Sequence, residues 1–283
     1  MKYAWFTVGL PEYSPQEALK ALKESGYQGV EWRVVKDDGD LSKPGFWSGN
    51  RCTLQESWKD AQFKEIAQMT RDAGFSVPNI GSYARVREKE KVKRMIEITA
   101  ILGSPSLRVN VSGYDGKQDY NELFEGDTEA YAEVIEMAKP YKVKPLIEIH
   151  MNTIIASASA AVRFVTSFGP EEIGVIHDAG NMVYEGFENY QAGLEMLGEY
   201  LAHVHIKNSM PVSEPADGPQ KLKWKVTFAP FRKGMVDFKA LLSALKKCGY
   251  NGWLSFEDFS LEASTADKVK DNLALLKEIE KSI

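Results

Sequence analysis

Residues 14–33 read SPQEALKALKESGYQGVEWR, and this stretch joins a capped helix to a strand. Ser14 can cap the helix, Pro15 suits its first position, and Glu17 completes a capping box. Apolar residues then recur at helical spacing until Gly26, a residue type that commonly follows the last turn of a helix. The run Gly29–Arg33 predicts a strand directly afterwards. A helix followed at once by a strand is the building unit of an α/β protein.

The same alternation of strand and helix continues along all 283 residues. Eight strands are predicted, at Tyr3–Val8, Gly29–Arg33, Ser76–Ile80, Ser106–Val111, Lys144–His150, Ile173–Asp178, Leu201–Lys207 and Gly252–Glu257. Helices are predicted between them, for example at Ala61–Ala73, Lys89–Leu102 and Asp237–Cys248. This pattern predicts one α/β domain over residues 1–283, a single (β/α)8 TIM barrel. An open doubly wound sheet is the alternative, but the first strand is not followed by the Gly-x-Gly-x-x-Gly of a dinucleotide-binding fold.

The composition is that of an ordinary globular protein, with 43% hydrophobic and 27% charged residues and a mean hydropathy of −0.33. No stretch offers the ~20 consecutive apolar residues that cross a bilayer, and the N-terminal residues do not resemble a signal peptide. A cytoplasmic location without membrane contact is therefore expected. The net charge of −5 and the lack of a basic run argue against nucleic acid as a partner.

Three connections that follow predicted strands are long, namely Lys36–Leu54, Ser112–Asp127 and Asn208–Val236. In a TIM barrel, the loops after the strands build the C-terminal face, which carries the active site. Long loops in a compact domain are commonly functional. The third connection contains aromatic residues, among them Trp224, and we predict that it covers the site as a lid.

Acidic and histidine side chains concentrate where the last four predicted strands end. They are Glu148, His150, His177, Asp178, His203, His205, Glu257 and Asp258. Because side chains alternate between the two faces of a strand, Glu148, Asp178, His205 and Glu257 can all point inward and converge. Three carboxylates at close range repel one another, and a divalent cation removes that repulsion. The oxygen-rich set favours Mn²⁺, Mg²⁺ or Co²⁺ over structural zinc. The choice between Glu257 and Asp258 depends on the strand register and stays open.

These residues lie in segments that resemble the xylose isomerase-like TIM barrel superfamily, and within it the sugar phosphate isomerase/epimerase family. The segments are GYQGVE at 26–31, LRV at 107–109, IEIH at 147–150, HDAGN at 177–181, HVHIK at 203–207 and GYNGW at 249–253. The resemblance implies one divalent metal ion held by Glu148, Asp178, His205 and Glu257. Mn²⁺ is expected first, with Mg²⁺, Co²⁺ or Zn²⁺ as alternatives. The resemblance also implies that Glu148 and Glu257 form the catalytic acid/base pair and that the ion stabilises an enediolate.

The sequence departs from the ketose 3-epimerases of this superfamily at three positions. Asn181 stands where those enzymes have a histidine, Pro211 where they have an arginine, and Ile154 where they have a glutamate. All three positions contact the substrate in the enzymes that this chain resembles. The sequence therefore retains the metal ligands but not the substrate contacts.

Other residues can take over the missing contacts. His150 shares the inward face with the first metal-binding glutamate and is predicted to be a catalytic base or a substrate contact, or else to orient a carboxylate. Lys207 lies two residues past the metal-binding histidine and is predicted to hold a substrate oxygen, unless it pairs with an acid. Glu31, Arg108 and Trp224 are further candidates for substrate binding. Arg108 has the alternative role of neutralising an acid of the barrel.

The sequence predicts an isomerase or epimerase that abstracts a proton α to the carbonyl of a small keto-sugar, inosose or related polyol. A lyase of the same fold is the alternative, of the kind that dehydrates inososes or cleaves 3-oxo-glycosides by β-elimination. Both reactions begin with the same proton abstraction. A DNA-repair endonuclease of the endonuclease IV kind would need more than the four histidines present. A barrel that only binds a ligand would not need two opposed glutamates.

The expected partner is a small sugar-like molecule. No Gly-rich phosphate loop follows a predicted strand, which favours a substrate without phosphate. A homo-oligomer is a further prediction, and the lyase alternative includes a second subunit.

Overall fold

Eight parallel strands form a closed barrel in the computed structural model, which describes residues 1–283. In chain order they are β1 (Lys2–Phe6), β2 (Gly29–Val35), β3 (Ile80–Ser82), β4 (Ser106–Arg108), β5 (Lys144–Glu148), β6 (Gly174–Asp178), β7 (Leu201–Ile206) and β8 (Trp253–Phe256). Each strand pairs with the next, and β8 pairs with β1 from Lys2↔Trp253 to Trp5↔Phe256. The ring is therefore closed, and the prediction of a (β/α)8 TIM barrel is confirmed.

Helices surround the barrel. They are α1 (Pro15–Ser25), α2 (Asp60–Asp72), α3 (Lys89–Leu102), α4 (Tyr120–Ala138), α5 (Ala158–Val165), α6 (Ala179–Met182), α7 (Tyr190–Leu197), α8 (Phe238–Lys247) and α9 (Thr265–Lys281). Helix α1 has the predicted capping box, in which the Ser14 side chain accepts from the backbone N–H of Glu17 and the Glu17 carboxylate accepts from that of Ser14. Gly26 then ends the helix with a φ of 92°, a conformation that glycine adopts without strain.

The third strand starts later than the sequence predicts. It spans Ile80–Ser82, whereas Ser76–Ile80 was the expectation, which is wrong for its first four residues. Ser76 makes only an isolated bridge to Gly29. Pro78 lies between the bridge and the strand and has no N–H to donate to a ladder. This proline accounts for the interruption.

The connection after β4 is shorter than predicted. Helix α4 already begins at Tyr120, so the second half of the expected loop Ser112–Asp127 is helical. The Asp119 side chain caps α4 by accepting hydrogen bonds from the backbone N–H groups of Asn121 and Glu122. This local cap starts the helix earlier than the apolar spacing suggests.

The connection after β7 is a β-hairpin rather than an irregular loop. Its strands Ser209–Pro215 and Leu222–Phe228 pair antiparallel over seven residues each. The outer part of the hairpin projects into solvent, and the Trp224 side chain is 61% exposed. The long connection Asn208–Val236, predicted to act as a lid, thus contains a regular hairpin that the sequence analysis did not predict. None of the helices is both long and apolar enough to span a membrane.

Candidate metal centre

Four of the predicted side chains meet inside the barrel at the C-terminal ends of its strands. Glu148 ends β5, Asp178 ends β6, His205 lies in β7, and Glu257 directly follows β8. The Nδ1 atom of His205 is 3.0 Å from Glu148 Oε1, 3.4 Å from Glu257 Oε1 and 3.7 Å from Asp178 Oδ2. All four residues are buried. We call this set the acid–histidine cluster.

The register of β8 separates Glu257 from its neighbour Asp258. Glu257 points into the barrel toward His205. Asp258 points the other way, where its carboxylate accepts hydrogen bonds from Ser260 and from the Asn272 side chain on α9. Only Glu257 belongs to the acid–histidine cluster, which removes the ambiguity that the sequence leaves.

Two buried cations reduce the negative charge of the cluster. Arg108 Nη1 donates to Glu148 Oε2 at 2.6 Å, and Lys207 Nζ lies 2.7 Å from both Asp178 Oδ2 and Glu257 Oε2. Burial opposes the charged form of Glu148, but Arg108 and His205 hold the pKa of this carboxyl well below its usual range. Burial likewise opposes ionisation of Asp178, and Lys207 keeps the pKa of that group lowered. The carboxylates of Glu148 and Asp178 are therefore ionised, which is the form in which a carboxylate binds a metal ion.

The donor set fits a divalent cation. Three carboxylates and one imidazole supply hard oxygen donors and one nitrogen, which suits Mn²⁺, Mg²⁺, Co²⁺ or Zn²⁺. The ligand atoms of Glu148, Asp178 and His205 lie within 4.8 Å of one another. Asp178 Oδ2 is buried and accepts no hydrogen bond of good geometry, so it retains a lone pair for an ion.

Glu31 lies beneath the acid–histidine cluster and does not line the cavity above it. Its carboxylate is 3.0 Å from His203 Nε2 and 3.2 Å from His205 Nε2, and it accepts from the Asn79 side chain at 2.8 Å. A proton of His205 is thereby held on Nε2, and Nδ1, which lies 3.0 Å from Glu148 Oε1, is the ring nitrogen that faces the cluster. Glu31, predicted to bind sugar hydroxyls, is placed by the structure where it orients His205, a candidate metal ligand.

Replacing this carboxylate should weaken metal binding. In Glu31→Gln the neutral amide accepts less strongly from His205, and we expect the affinity for Mn²⁺ to fall by about tenfold or more. Titration calorimetry of the metal-free protein with Mn²⁺ measures the change. Glu56→Gln is the control, because Glu56 pairs with Lys91 away from the cluster. Equal affinities for the two variants would show that Glu31 does not support the site.

Asn181 replaces a substrate contact of the ketose 3-epimerases and has a different place here. It is buried, and its amide donates to Glu148 Oε1 at 3.3 Å and to the Ile149 carbonyl at 3.2 Å. Its backbone N–H donates to Asp178 Oδ1. Asn181 therefore holds two cluster residues in place. The sequence marks this position only as a departure from a pattern, so it does not reveal the role.

A cavity of about 440 Å³ opens above the cluster. Of the predicted site residues, it is lined by Glu148, Glu257, His150, Lys207 and Arg108. Asp178, His205, Glu31 and Trp224 do not line it. The sequence analysis missed further lining residues on the loops after β3 and β4, among them Tyr83, Arg85 and Asn110. Loop residues follow no period, which is why the pattern of the strands does not reveal them.

One wall of the cavity is aromatic. Trp47, Phe228 and Phe259 line it, with ring centroids 4.9 Å apart for Trp47 and Phe259 and 5.0 Å apart for Phe228 and Phe259. Aromatic faces suit the apolar C–H side of a sugar ring and keep water from the floor of a site. Trp224, which was predicted to bind substrate, does not line the cavity.

His150 is positioned to accept or deliver a proton. Its Nδ1 lies 2.8 Å from the Met151 carbonyl oxygen, which can only accept, so in the neutral ring Nδ1 carries the proton. The other ring nitrogen, Nε2, then has a free lone pair. Because His150 also lines the cavity, this tautomer gives the cavity a base besides the carboxylates.

His177, also on β6, is buried in the shell between barrel and helices. Neither ring nitrogen has a hydrogen-bond partner, and burial lowers the pKa of His177 to about 4. The unfolded chain takes up a proton on His177 near pH 6.5, whereas the folded chain does so only near pH 4. The folded protein therefore becomes less stable as the pH falls below 6.5. The loss stops near the folded pKa.

Because of His177, we expect the free energy of unfolding to fall by roughly 2 kcal/mol between pH 7 and pH 5. The substitution His177→Leu removes the titrating ring and should flatten this part of the stability profile. Urea unfolding at both pH values measures the difference. A slope that is the same in the variant and the wild type would exclude this origin.

The fold and the acid–histidine cluster define a TIM barrel with a carboxylate-rich candidate metal site at the C-terminal ends of its strands. A model of the family described as xylose isomerase-like TIM barrel matches residues 19–279. The chain therefore belongs to the xylose isomerase-like TIM barrel family.

Relatives within this family are distant. The chain is 24% identical over 241 residues to the L-ribulose-5-phosphate 3-epimerase UlaE of Escherichia coli O1:K1, covering 83% of this chain and 79% of that protein. It is 26% identical over 165 residues to an inosose dehydratase of Serratia proteamaculans, covering 54% of each. The matches to the inosose dehydratases span 37% to 54% of the length of those proteins. The solved structure of the protein IOLI with a zinc atom has a TM-score of 0.74 at 17% identity, covering 100% of this chain and 99% of that one.

Proposed function

We propose that this protein is a divalent-metal-dependent sugar isomerase or epimerase. Its reaction would remove and return a proton α to the carbonyl of a small keto-sugar, inosose or related polyol. The observation that carries the proposal is the meeting of Glu148 and Glu257 with His205 and Asp178 at the floor of a cavity large enough for a sugar. The match to an L-ribulose-5-phosphate 3-epimerase over most of both chains supports it.

The metal ion would be held by the four residues of the acid–histidine cluster. When bound, such an ion acts as a Lewis acid that makes the carbon next to a carbonyl more acidic and offsets the charge that develops on oxygen. We propose Mn²⁺ as the native ion, because oxygen donors predominate, with Mg²⁺, Co²⁺ and Zn²⁺ as alternatives. Zinc in the similar protein IOLI shows that the choice needs measurement.

The two glutamates would share the proton transfer. They reach the cavity from β5 and from the end of β8, on different sides of the barrel axis, and so can approach different faces of a bound substrate. Arg108 keeps the carboxylate of Glu148 ionised, which is the form that can accept a proton. Glu257, which accepts a hydrogen bond from the Lys207 ammonium, would take a proton from it and pass that proton to the other face. The proton on Glu148 would then return to solvent, and solvent would reprotonate Lys207. Removal on one face and return on the other inverts the carbon, which is epimerisation.

A lyase of the same fold is the second candidate, and His150 is the observation that favours it. After α-proton removal, a protonated His150 could donate its Nε2 proton to a hydroxyl on the β carbon as that C–O bond breaks, with release of water. The epimerases that this chain resembles need no such third group. The matches to inosose dehydratases point in the same direction.

Proton NMR in D₂O separates the two candidates. The protein is reconstituted with Mn²⁺ and incubated with keto-sugars, inososes and 3-oxo-glycosides. Deuterium incorporation next to the carbonyl together with an epimer or isomer supports the isomerase. Incorporation together with an unsaturated product or a released aglycone supports the lyase. No incorporation with any of these compounds would contradict both.

The sugar-like substrate is the one partner that this proposal requires. Homo-oligomerisation, a second subunit, the lack of contact with nucleic acid or membrane, and a cytoplasmic location stay predictions from the sequence. The molar mass in solution, measured by size-exclusion chromatography with light scattering, would test homo-oligomerisation.

A further inference from the structure

The cavity has two chemically different sides. The acid–histidine cluster lies at the ends of β5 to β8, whereas Tyr83, Arg85 and Asn110 lie on the loops after β3 and β4. In a closed ring of eight strands, β3 and β4 stand across the axis from β7 and β8. A substrate whose carbonyl sits at the cluster therefore extends toward Arg85 and Asn110.

Arg85 is the cation of this cavity that no carboxylate neutralises. Arg108 pairs with Glu148, and Lys207 pairs with Asp178 and Glu257. The side chain of Arg85 makes no ion pair and no hydrogen bond, and the nearby Glu88 carboxylate binds its backbone N–H instead. Arg85 is exposed and lines the cavity.

The backbone holds Arg85 in a defined place beside two free amides. Arg85 and Asn110 form a parallel bridge, with Val86 N–H donating to the Asn110 carbonyl at 2.8 Å and Asn110 N–H donating to the Ala84 carbonyl at 2.9 Å. Asn110 and Asn152 both line the cavity, and their side-chain amides have no hydrogen-bond partner within the chain. Asn152 follows β5, and the Tyr114 N–H donates to its carbonyl at 2.8 Å, which ties this loop to the loop after β4. One guanidinium and two amides thus offer unused donors along the loops after β3, β4 and β5.

We propose that Arg85, with Asn110 and Asn152, binds an oxyanion of the substrate, a carboxylate or a phosphate, at the end remote from the reacting carbonyl. A guanidinium presents parallel N–H donors that match the two oxygens of such a group, and charge-assisted hydrogen bonds of this kind are strong. The inference rests on the proposed function, because it places the carbonyl at the cluster. The missing Gly-rich loop excludes one kind of phosphate site and leaves this kind open.

Three ketoses that differ only at C6 test this proposal. D-Fructose carries a hydroxyl there, D-fructuronate a carboxylate and D-fructose 6-phosphate a phosphate. Titration calorimetry with the Mn²⁺-reconstituted protein should show that at least one anionic ketose binds about 30-fold more tightly than D-fructose. Whichever of the two is preferred identifies the oxyanion as carboxylate or phosphate.

Substitution of Arg85 tests the residue itself. In Arg85→Gln the preference for the anionic ketose should disappear, and Arg85→Lys should keep part of it because the charge remains. Arg232→Gln is the matched control, since Arg232 is also exposed and unpaired but does not line the cavity. An Mn²⁺ affinity equal to that of the wild type shows that the fold and the acid–histidine cluster of a variant are intact.

Two results would overturn the inference. One is that the wild type binds the three ketoses with equal affinity or binds none of them. The other is an anionic preference that Arg85→Gln retains. Failure of the proposed function has a different signature, namely no deuterium incorporation at the carbon next to the carbonyl, whatever the binding preference at C6.

Discussion

Glu257→Gln is expected to slow deuterium incorporation next to the substrate carbonyl by about 10³-fold, whereas Asp258→Asn leaves the rate nearly unchanged. The two residues are neighbours and each substitution removes one carboxylate charge. Glu257 faces His205 and Lys207, so under the proposed function its loss removes a proton-transfer group and a metal ligand together. Asp258 faces Ser260 and Asn272 on the outside of the barrel.

The pair is compared by proton NMR in D₂O at equal metal occupancy. Elemental analysis gives the bound Mn²⁺ of each variant, and circular dichroism checks that both are folded. Comparable losses of rate in the two variants would mean that folding or net charge, rather than the inward position of Glu257, controls the reaction. Retained activity in Glu257→Gln would contradict its assignment.

His150→Gln is expected to lower turnover by about 100-fold while the bound Mn²⁺ stays the same. The imidazole lies in the cavity but its nitrogens are not among the atoms that meet at the cluster, so metal binding does not depend on it. If the enzyme is a lyase, deuterium exchange persists in this variant and formation of the product is lost. If it is an epimerase, exchange and product formation fall together.

His177→Leu is the control for the loss of a histidine, because His177 is buried away from the cavity. Steady-state rates at pH 7 compare the two variants, at a pH where His177 of the wild type is neutral. Loss of metal from His150→Gln would show that this histidine acts through the cluster. Unchanged turnover would exclude it from the chemistry.

The fold follows from local signals in the sequence. Capped helices such as α1 alternate with short strands, and the number of strands and the chain length together indicate a barrel. Sequence periodicity does not predict where a single residue interrupts a strand, as Pro78 does before β3. The hairpin after β7 did leave a signal, since LKWKVTF at 222–228 alternates apolar and polar residues over its whole length.

The candidate site was predictable where strand geometry dictates it. Period-two alternation allows Glu148 and His205 to share the inner face, and the parallel strands bring their ends together. It leaves Glu257 and Asp258 as alternatives, which only the register of β8 separates. The role of Glu31 was not predictable, because its partners His203 and Asn79 come from other strands of the ring. The position of such a side chain depends on barrel register, which one sequence does not reveal.

The most direct test of the central claim is the metal content of the wild type, Asp178→Asn and Asp237→Asn after reconstitution with Mn²⁺ and desalting. Both substitutions change an aspartate that caps a helix, and asparagine caps about as well. Only Asp178 belongs to the acid–histidine cluster. The account predicts about one ion per chain in the wild type and in Asp237→Asn, and little in Asp178→Asn. No ion in the wild type, or equal binding in all three proteins, would contradict it.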